Sequence, residues 1–426
     1  MSPLRDRFFL GSLALFSLLA LCWGLLLPIH EGPDEQNHYR YMIFLKEQGR
    51  LPRQLPLPPE VAGEGHQPPL YYALGAAALS RLAPDSQWVE LPNNRDFGFN
   101  RNPAWFAHGA DEGFLKFRGN AWGPHLLRML QLWMPLASLS LLWMLLMALP
   151  LSLAASRLAL VLMAFNPGFL FLSGVLNNDH LVLLFFSGAV LTFVDAVQQR
   201  DWGWGHSLAA GLFLGLGALT KISIFCLFPL GLAVACAYGR CGRALGMLAL
   251  ALALCGGFYA RNNALYGDPF GWAMHTLTCA GTVHVKSLLD MGWAWFWLKR
   301  SFESFWTIFG WLSWGAPRLW TFAFLALCLA ALAGLRRCRL SAAAWVLALA
   351  LAGLTAGVIK FNWAFDPPEG RYFYPALLPI GAFFALGLNG YAPFRARYAP
   401  WIALAVLAAL NTWLLFYRLI PLYYNV

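Results

Sequence analysis

The sequence predicts an all-α polytopic membrane protein, and three observations carry the prediction. Of 426 residues, 59% are hydrophobic and only 12% are charged, against about 25% charged in soluble domains. The apolar residues gather in runs near the roughly 20 that a bilayer requires. The charges between those runs are sorted by sign, as the positive-inside rule describes. Lipid leaves no partner for open backbone polar groups, so helices must carry the spans. A single integral membrane domain over residues 1–426 is expected.

The first run, Phe8 to Leu27, follows Arg5 and Arg7. It has the charge and length of a signal peptide but no small-x-small cleavage site, so it reads as a retained span. Further spans are expected near 126–149, 157–176, 180–198, 206–220, 222–238, 243–260, 319–335, 340–359, 372–390 and 399–418, about eleven in all. Thr220-Lys221 interrupts the run 206–238. A lysine at the centre of one long helix is costly, so two short helices meeting at the outer face are expected instead. This count places the N-terminus inside, in the cytoplasm, together with Arg157, Arg200, Arg240, Arg243, Arg336, Arg337, Arg339, Arg395 and Arg397. Nearly every acid falls outside; Asp6, Asp195 and Asp201 are the exceptions. The C-terminus is expected outside. The multi-pass chain is thus read as a bacterial inner-membrane protein with its active face extracytoplasmic.

Three of the outer segments stand out. The long loop 28–125 can hold amphipathic helices near 35–49 and 69–82 lying on the membrane, with a proline-rich, irregular stretch from Leu51 to Pro59 between them. The loop 261–318 carries Trp293, Trp295, Trp297, Phe302, Phe305, Trp306, Trp311 and Trp314, the composition of an interfacial aromatic belt. The loop 360–371 is short. Cys22, Cys226, Cys236, Cys255 and Cys328 lie in apolar runs and read as packing residues; Cys279 sits in a polar loop with no obvious partner. No disulfide framework is expected. The net charge of +10 is scattered, so no nucleic-acid partner is expected; the partners are membrane lipids. No internal repeat and no Walker pattern is present.

The notable polar residues converge on the outer face. They are Asp34, Glu35, His38 and Arg40; His66; Asn177-Asn178-Asp179-His180; Thr220-Lys221; Arg261; and Lys360 with Arg371. Ionisable groups at membrane depth are expensive and mark a site or pathway. Cations suit a phosphate, and a carboxylate suits activation of a hydroxyl. Together they describe group transfer from a lipid-linked phosphate. Each feature also has a plainer reading. Lys221 fits a snorkelling side chain, Asn177-Asn178-Asp179 a turn and helix cap, and Arg371 an interfacial anchor beside Tyr372 and Tyr374. No cofactor is required by the sequence. A divalent cation held by Asp34, His38 and His66 stays open, because Asp34 and His38 share a helical face.

The order of these motifs resembles the C-type glycosyltransferase (GT-C) superfamily of polytopic membrane enzymes. Within it, the chain is most similar to a bacterial membrane-protein family of unknown function with a Pro-Asp-Glu…His signature after the first span. The motifs are Pro33-Asp34-Glu35-Gln36-Asn37-His38, His66-Gln67-Pro68-Pro69-Leu70-Tyr71-Tyr72, Asn178-Asp179, Gly217-Ala218-Leu219-Thr220-Lys221, Arg261 with Tyr266-Gly267-Asp268-Pro269, and Gly370-Arg371-Tyr372-Phe373-Tyr374-Pro375. The resemblance implies a GT-C-like helix bundle and a polyprenyl-phosphate sugar donor. It implies Asp34 as the catalytic acid residue, Asp179 as a second acid and Lys221 as a phosphate ligand. The expected site then has Asp34, Glu35 and Asp179 as catalytic carboxylates, with Glu35 second choice for the base. Lys221, Arg261 and Arg371 hold the donor phosphate, and His38, Arg40, His66, Asn178 and Tyr372 contact substrate. With no separate soluble domain in view, a lipid-anchored or glycan acceptor at the membrane surface is expected. The alternatives are a lipid-linked glycan transporter or flippase, or a non-catalytic polysaccharide-assembly protein.

Overall fold

The computed structural model describes residues 5–109, 112–278 and 290–424; Cys279 lies outside them. Its helices are α1 (Arg7–Leu26), α2 (Glu35–Gln48), α3 (Leu70–Leu82), α4 (Trp122–Leu130), α5 (Trp133–Ala148), α6 (Leu153–Ala164), α7 (Pro167–Ser173), α8 (Asp179–Gln199), α9 (Trp204–Ala218), α10 (Leu227–Ala237), α11 (Cys241–Tyr266), α12 (Trp272–Thr278) and α13 (Met291–Trp306). Then come α14 (Arg318–Leu335), α15 (Ala342–Ala364), α16 (Leu377–Leu388), α17 (Ala392–Arg395), α18 (Ala399–Leu414) and α19 (Ile420–Tyr424). Sheet among the described residues is confined to two antiparallel hairpins. They are β1 (Glu112–Gly113) with β2 (Lys116–Phe117), and β3 (Ile308–Phe309) with β4 (Trp314–Gly315).

All of the expected apolar runs are helical. Among the described residues, eight helical segments are long and apolar enough to cross a membrane, nine if the bent pair α6–α7 counts as one. The remaining runs, α9 and the stretch Ile222–Ala237, are shorter. The 55° bend between α6 and α7 has a local cause. Pro167 cannot donate to the helical ladder. The freed groups find partners: Asn166 Oδ1 accepts from Gly168 N–H at 3.0 Å, and Asn411 Nδ2 donates to the Phe165 carbonyl at 3.0 Å.

Charge sorts the bundle end to end. Helix α8 carries Asp179 at its start and Arg200 just past its end, about 31 Å apart along the axis. The three acids that break the sign pattern are each matched by a base at the Arg200 end: Asp6 by Arg157 at 2.6 Å, Asp195 by His206 at 3.1 Å and Asp201 by Arg240 at 3.1 Å.

The described parts of the segment 261–318, residues 261–278 and 290–318, hold more regular structure than a belt loop. Helix α11 runs on to Tyr266, and α12, α13 and a hairpin follow. Trp306 and Trp314 are core residues, whereas Trp295 stays exposed. Trp314 stacks on Trp23 of α1 with ring centroids 6.1 Å apart. Lipid is as apolar as the side chains, so such contacts stabilise by close packing rather than by escape from water.

Candidate active site at one end of the bundle

Asp34 opens α2 in the left-handed region, at φ 59 and ψ 2, a conformation uncommon for non-glycine residues but one in which aspartate is enriched. An aspartate at this position ordinarily caps the helix. Here its side chain makes no cap bond and instead accepts from Arg371 Nη2. Arg371 also donates from Nε to Glu369 Oε2 at 2.8 Å. Gly370 makes this approach feasible. A Cβ there would lie 2.1 Å from Phe305 N, and the Gly370 N–H donates to Ser304 Oγ at 2.8 Å. Burial alone would raise the Asp34 carboxyl; the Arg371 guanidinium outweighs it and holds it below the ordinary carboxylate value.

A second ion pair stands in the same cavity. Lys221 follows the end of α9 in extended conformation and donates to Asp179 Oδ1 at 2.6 Å. Asp179 Oδ2 is buried without a hydrogen-bond partner among the described residues. The Tyr372 ring lies 5.2 Å from the Arg371 guanidinium carbon and 6.0 Å from Lys221 Nζ. The cavity encloses about 780 Å³ and takes Asp34, His38, His66, Asp179, Lys221, Arg371 and Tyr372 into its wall.

The other expected residues are elsewhere. Glu35 does not line the cavity; it is fully buried against Arg128, with Nη2 to Oε2 at 2.5 Å and Nε to Oε1 at 2.7 Å. It also accepts from the backbone N–H of His30 and Leu176, each at 2.9 Å. No oxygen is left for a substrate proton, so Glu35 is corrected from candidate base to structural anchor. Arg40 lies over the Trp88 ring at 5.7 Å, outside the cavity. Arg261 donates to the Pro52 carbonyl at 2.9 Å and pins the irregular stretch of the first loop. Asn178 sits behind the wall and donates to Gln67 Oε1 at 3.0 Å.

Several site residues went unread in the sequence. Glu64 lines the cavity, buried, with the Tyr72 hydroxyl 3.3 Å from its Oε2. Burial and the nearby Asp34 push its carboxyl up to about 7. Its signal was an acid between two glycines beside His66. Glu369 was a neighbour of Arg371 in a Pro-Pro-Glu-Gly-Arg string. Arg128 was a charge inside an apolar run, itself a flag. Outside the cavity, His108 bridges Glu31 at 2.9 Å and Glu112 at 2.8 Å, and Glu112 reaches His125 at 3.2 Å.

Burial pulls His38 and His66 each down to about 3, so both are neutral hydrogen-bonding groups. Of the candidate metal ligands, Asp34 pairs with Arg371, His38 Nδ1 meets the Tyr72 hydroxyl at 3.0 Å, and His66 Nδ1 meets the Gly63 carbonyl at 2.9 Å. Among the described residues no group of three or more His, Cys, Asp or Glu is arranged to hold a metal ion.

The bundle of apolar helices with its long first loop is a polytopic membrane protein with the C-type glycosyltransferase fold, shown by its likeness to solved structures. Two states of one protein are among the solved structures that share it. ArnT from Cupriavidus metallidurans bound to undecaprenyl phosphate matches with TM-score 0.58 and 14% identity, over 94% of this chain and 64% of that one. The apo state of the same protein matches with TM-score 0.51 and 15% identity, over 97% and 73%. The present chain therefore spans less than two thirds of the undecaprenyl phosphate-bound relative. The profile of the dolichyl-phosphate-mannose-protein mannosyltransferase family matches residues 117–256. No curated protein matches the sequence.

Proposed function

We propose that this protein is an inverting glycosyltransferase that moves a sugar from a polyprenyl-phosphate donor to a glycan or glycolipid at the membrane surface. The observation that carries the reading is the meeting of Asp34–Arg371 and Asp179–Lys221 in one cavity. Asp34, ionised by Arg371, takes the proton of the acceptor hydroxyl as its oxygen attacks the anomeric carbon. The bond from that carbon to the phosphate oxygen breaks on the opposite face. Negative charge gathers on the leaving phosphate, where Lys221 and Arg371 stabilise it. A phosphate that shares the Arg371 guanidinium weakens its hold on Asp34 and makes that carboxylate a stronger base, while Glu369 keeps Arg371 in the site. Asp179 Oδ2, which has no hydrogen-bond partner among the described residues, accepts from a sugar hydroxyl. The ArnT complex with undecaprenyl phosphate supports the donor class.

The basic residues at the Arg200 end support a cytoplasmic location for that end. The cavity then faces the extracytoplasmic side of a bacterial inner membrane.

The test is transfer from a radiolabelled polyprenyl-phosphate sugar to candidate acceptors by purified protein. Asp34→Asn is expected to lose transfer by about a hundredfold or more while retaining donor binding. Full transfer by that variant overturns the mechanism. Binding without any product from the wild type favours a transporter instead.

A further inference from the structure

The cations of the cavity are not equally available. Arg371 is shared by Asp34 and Glu369, and Lys221 is held by Asp179. Lys360 lines the same cavity and has no carboxylate within salt-bridge range among the described residues. It lies over the face of Trp272, 5.6 Å from the ring centre. Snorkelling explains an exposed lysine near the end of a span. It does not explain what lies beneath this one.

Helix α15 faces the short turn Ile222–Cys226 through Gly353 and Gly357, and both glycines line the cavity. At Gly353 the walls nearly touch: an added Cβ would be 3.3 Å from Cys226 Cβ. Gly357 is four residues nearer Lys360, about 6 Å along the helix, and an added Cβ there would meet nothing within 4 Å. The gap therefore opens toward Lys360. Ile222, Phe225, Leu354 and Val358 give it apolar walls, and Gly357 between them is exposed. Each wall ends in a cation. Lys221 immediately precedes the Ile222–Cys226 turn, and Lys360 stands three residues beyond Gly357.

We infer that this groove takes the isoprenoid chain of the lipid donor, and that Lys360 binds its phosphate at the head of the groove. The inference rests on the donor reading above and adds a residue and a path to it. An isoprenoid chain entering from lipid loses no hydration on the way. The phosphate first meets Lys360, which pairs with no carboxylate among the described residues, so docking there breaks none of the described ion pairs. Lys221, at the head of the opposite wall, lines the same cavity but is held by Asp179.

Binding of undecaprenyl phosphate and of undecaprenol to the purified full chain tests this. Lys360→Gln should weaken undecaprenyl phosphate about tenfold, the scale of one charge-assisted contact, and leave undecaprenol unchanged; Lys360→Arg should restore the phosphate. Gly357→Leu should weaken both lipids, because it fills the groove. If Lys360→Gln binds undecaprenyl phosphate normally while Lys221→Gln does not, the donor reading stands and the role of Lys360 is overturned. Unchanged binding by Gly357→Leu overturns the groove. If the wild type does not prefer undecaprenyl phosphate to undecaprenol, the donor reading falls and this inference with it.

Discussion

Glu35 and Arg128 form a completely buried ion pair, bonded at 2.5 and 2.7 Å, immediately beside the partly exposed Asp34. Arg128 also donates to the carbonyls of Gly24, Leu27 and Pro28 at 3.1, 2.5 and 2.9 Å. Through Leu176 N–H the pair holds the segment that leads into Asp179. One ion pair thus ties the end of α1, the start of α2, α4 and the approach to α8.

Removing one partner leaves the other charge buried and alone, which costs about 3–5 kcal/mol. Arg128→Met and Glu35→Gln should each lower the unfolding midpoint in detergent substantially. The double variant should be destabilised by clearly less than the sum. Additive losses would show that the two side chains act separately.

Glu64 predicts a pH slope. Its carboxyl rises from an ordinary 4.5 to about 7, so between those values the folded chain holds a proton that the unfolded chain has released. Stability then falls as pH rises through that window. Glu64→Gln removes the ionisation, so its midpoint should gain on wild type from pH 5 to 8. Parallel curves for the two proteins would contradict the shift.

His108 predicts a slope in a different window. Burial opposes its charge, but the hydrogen bonds that His108 donates to Glu112 and Glu31 outweigh burial and raise it from 6.5 to about 9. Its contribution is complete below 6.5 and lost as pH climbs through about 9. Thermal unfolding of wild type should weaken across that interval. His108→Gln should start lower and change little there. A variant that keeps the wild-type slope would place the titrating group elsewhere.

The spans were legible in the sequence because hydropathy is a local property: a helix that faces lipid must be apolar over its own length, whatever its neighbours do. The break at Thr220-Lys221, the helices of the first loop and the sign asymmetry were legible for the same reason. Asp34, His38, His66, Asp179, Lys221, Arg371 and Tyr372 could be named from their motifs, and the folded chain brings them to one cavity. Which of two adjacent carboxylates faces that cavity could not be read. It depends on the left-handed turn at Asp34 and on Arg128, 93 residues away in the chain. Arg40 and Arg261 looked equivalent to Arg371 as cations, yet one meets a tryptophan face and the other a backbone carbonyl. Glu64 looked like a loop acid until Tyr72 and Asp34 closed around it. A charge takes its role from the partners and the dielectric that folding places around it, and only the tertiary structure decides those.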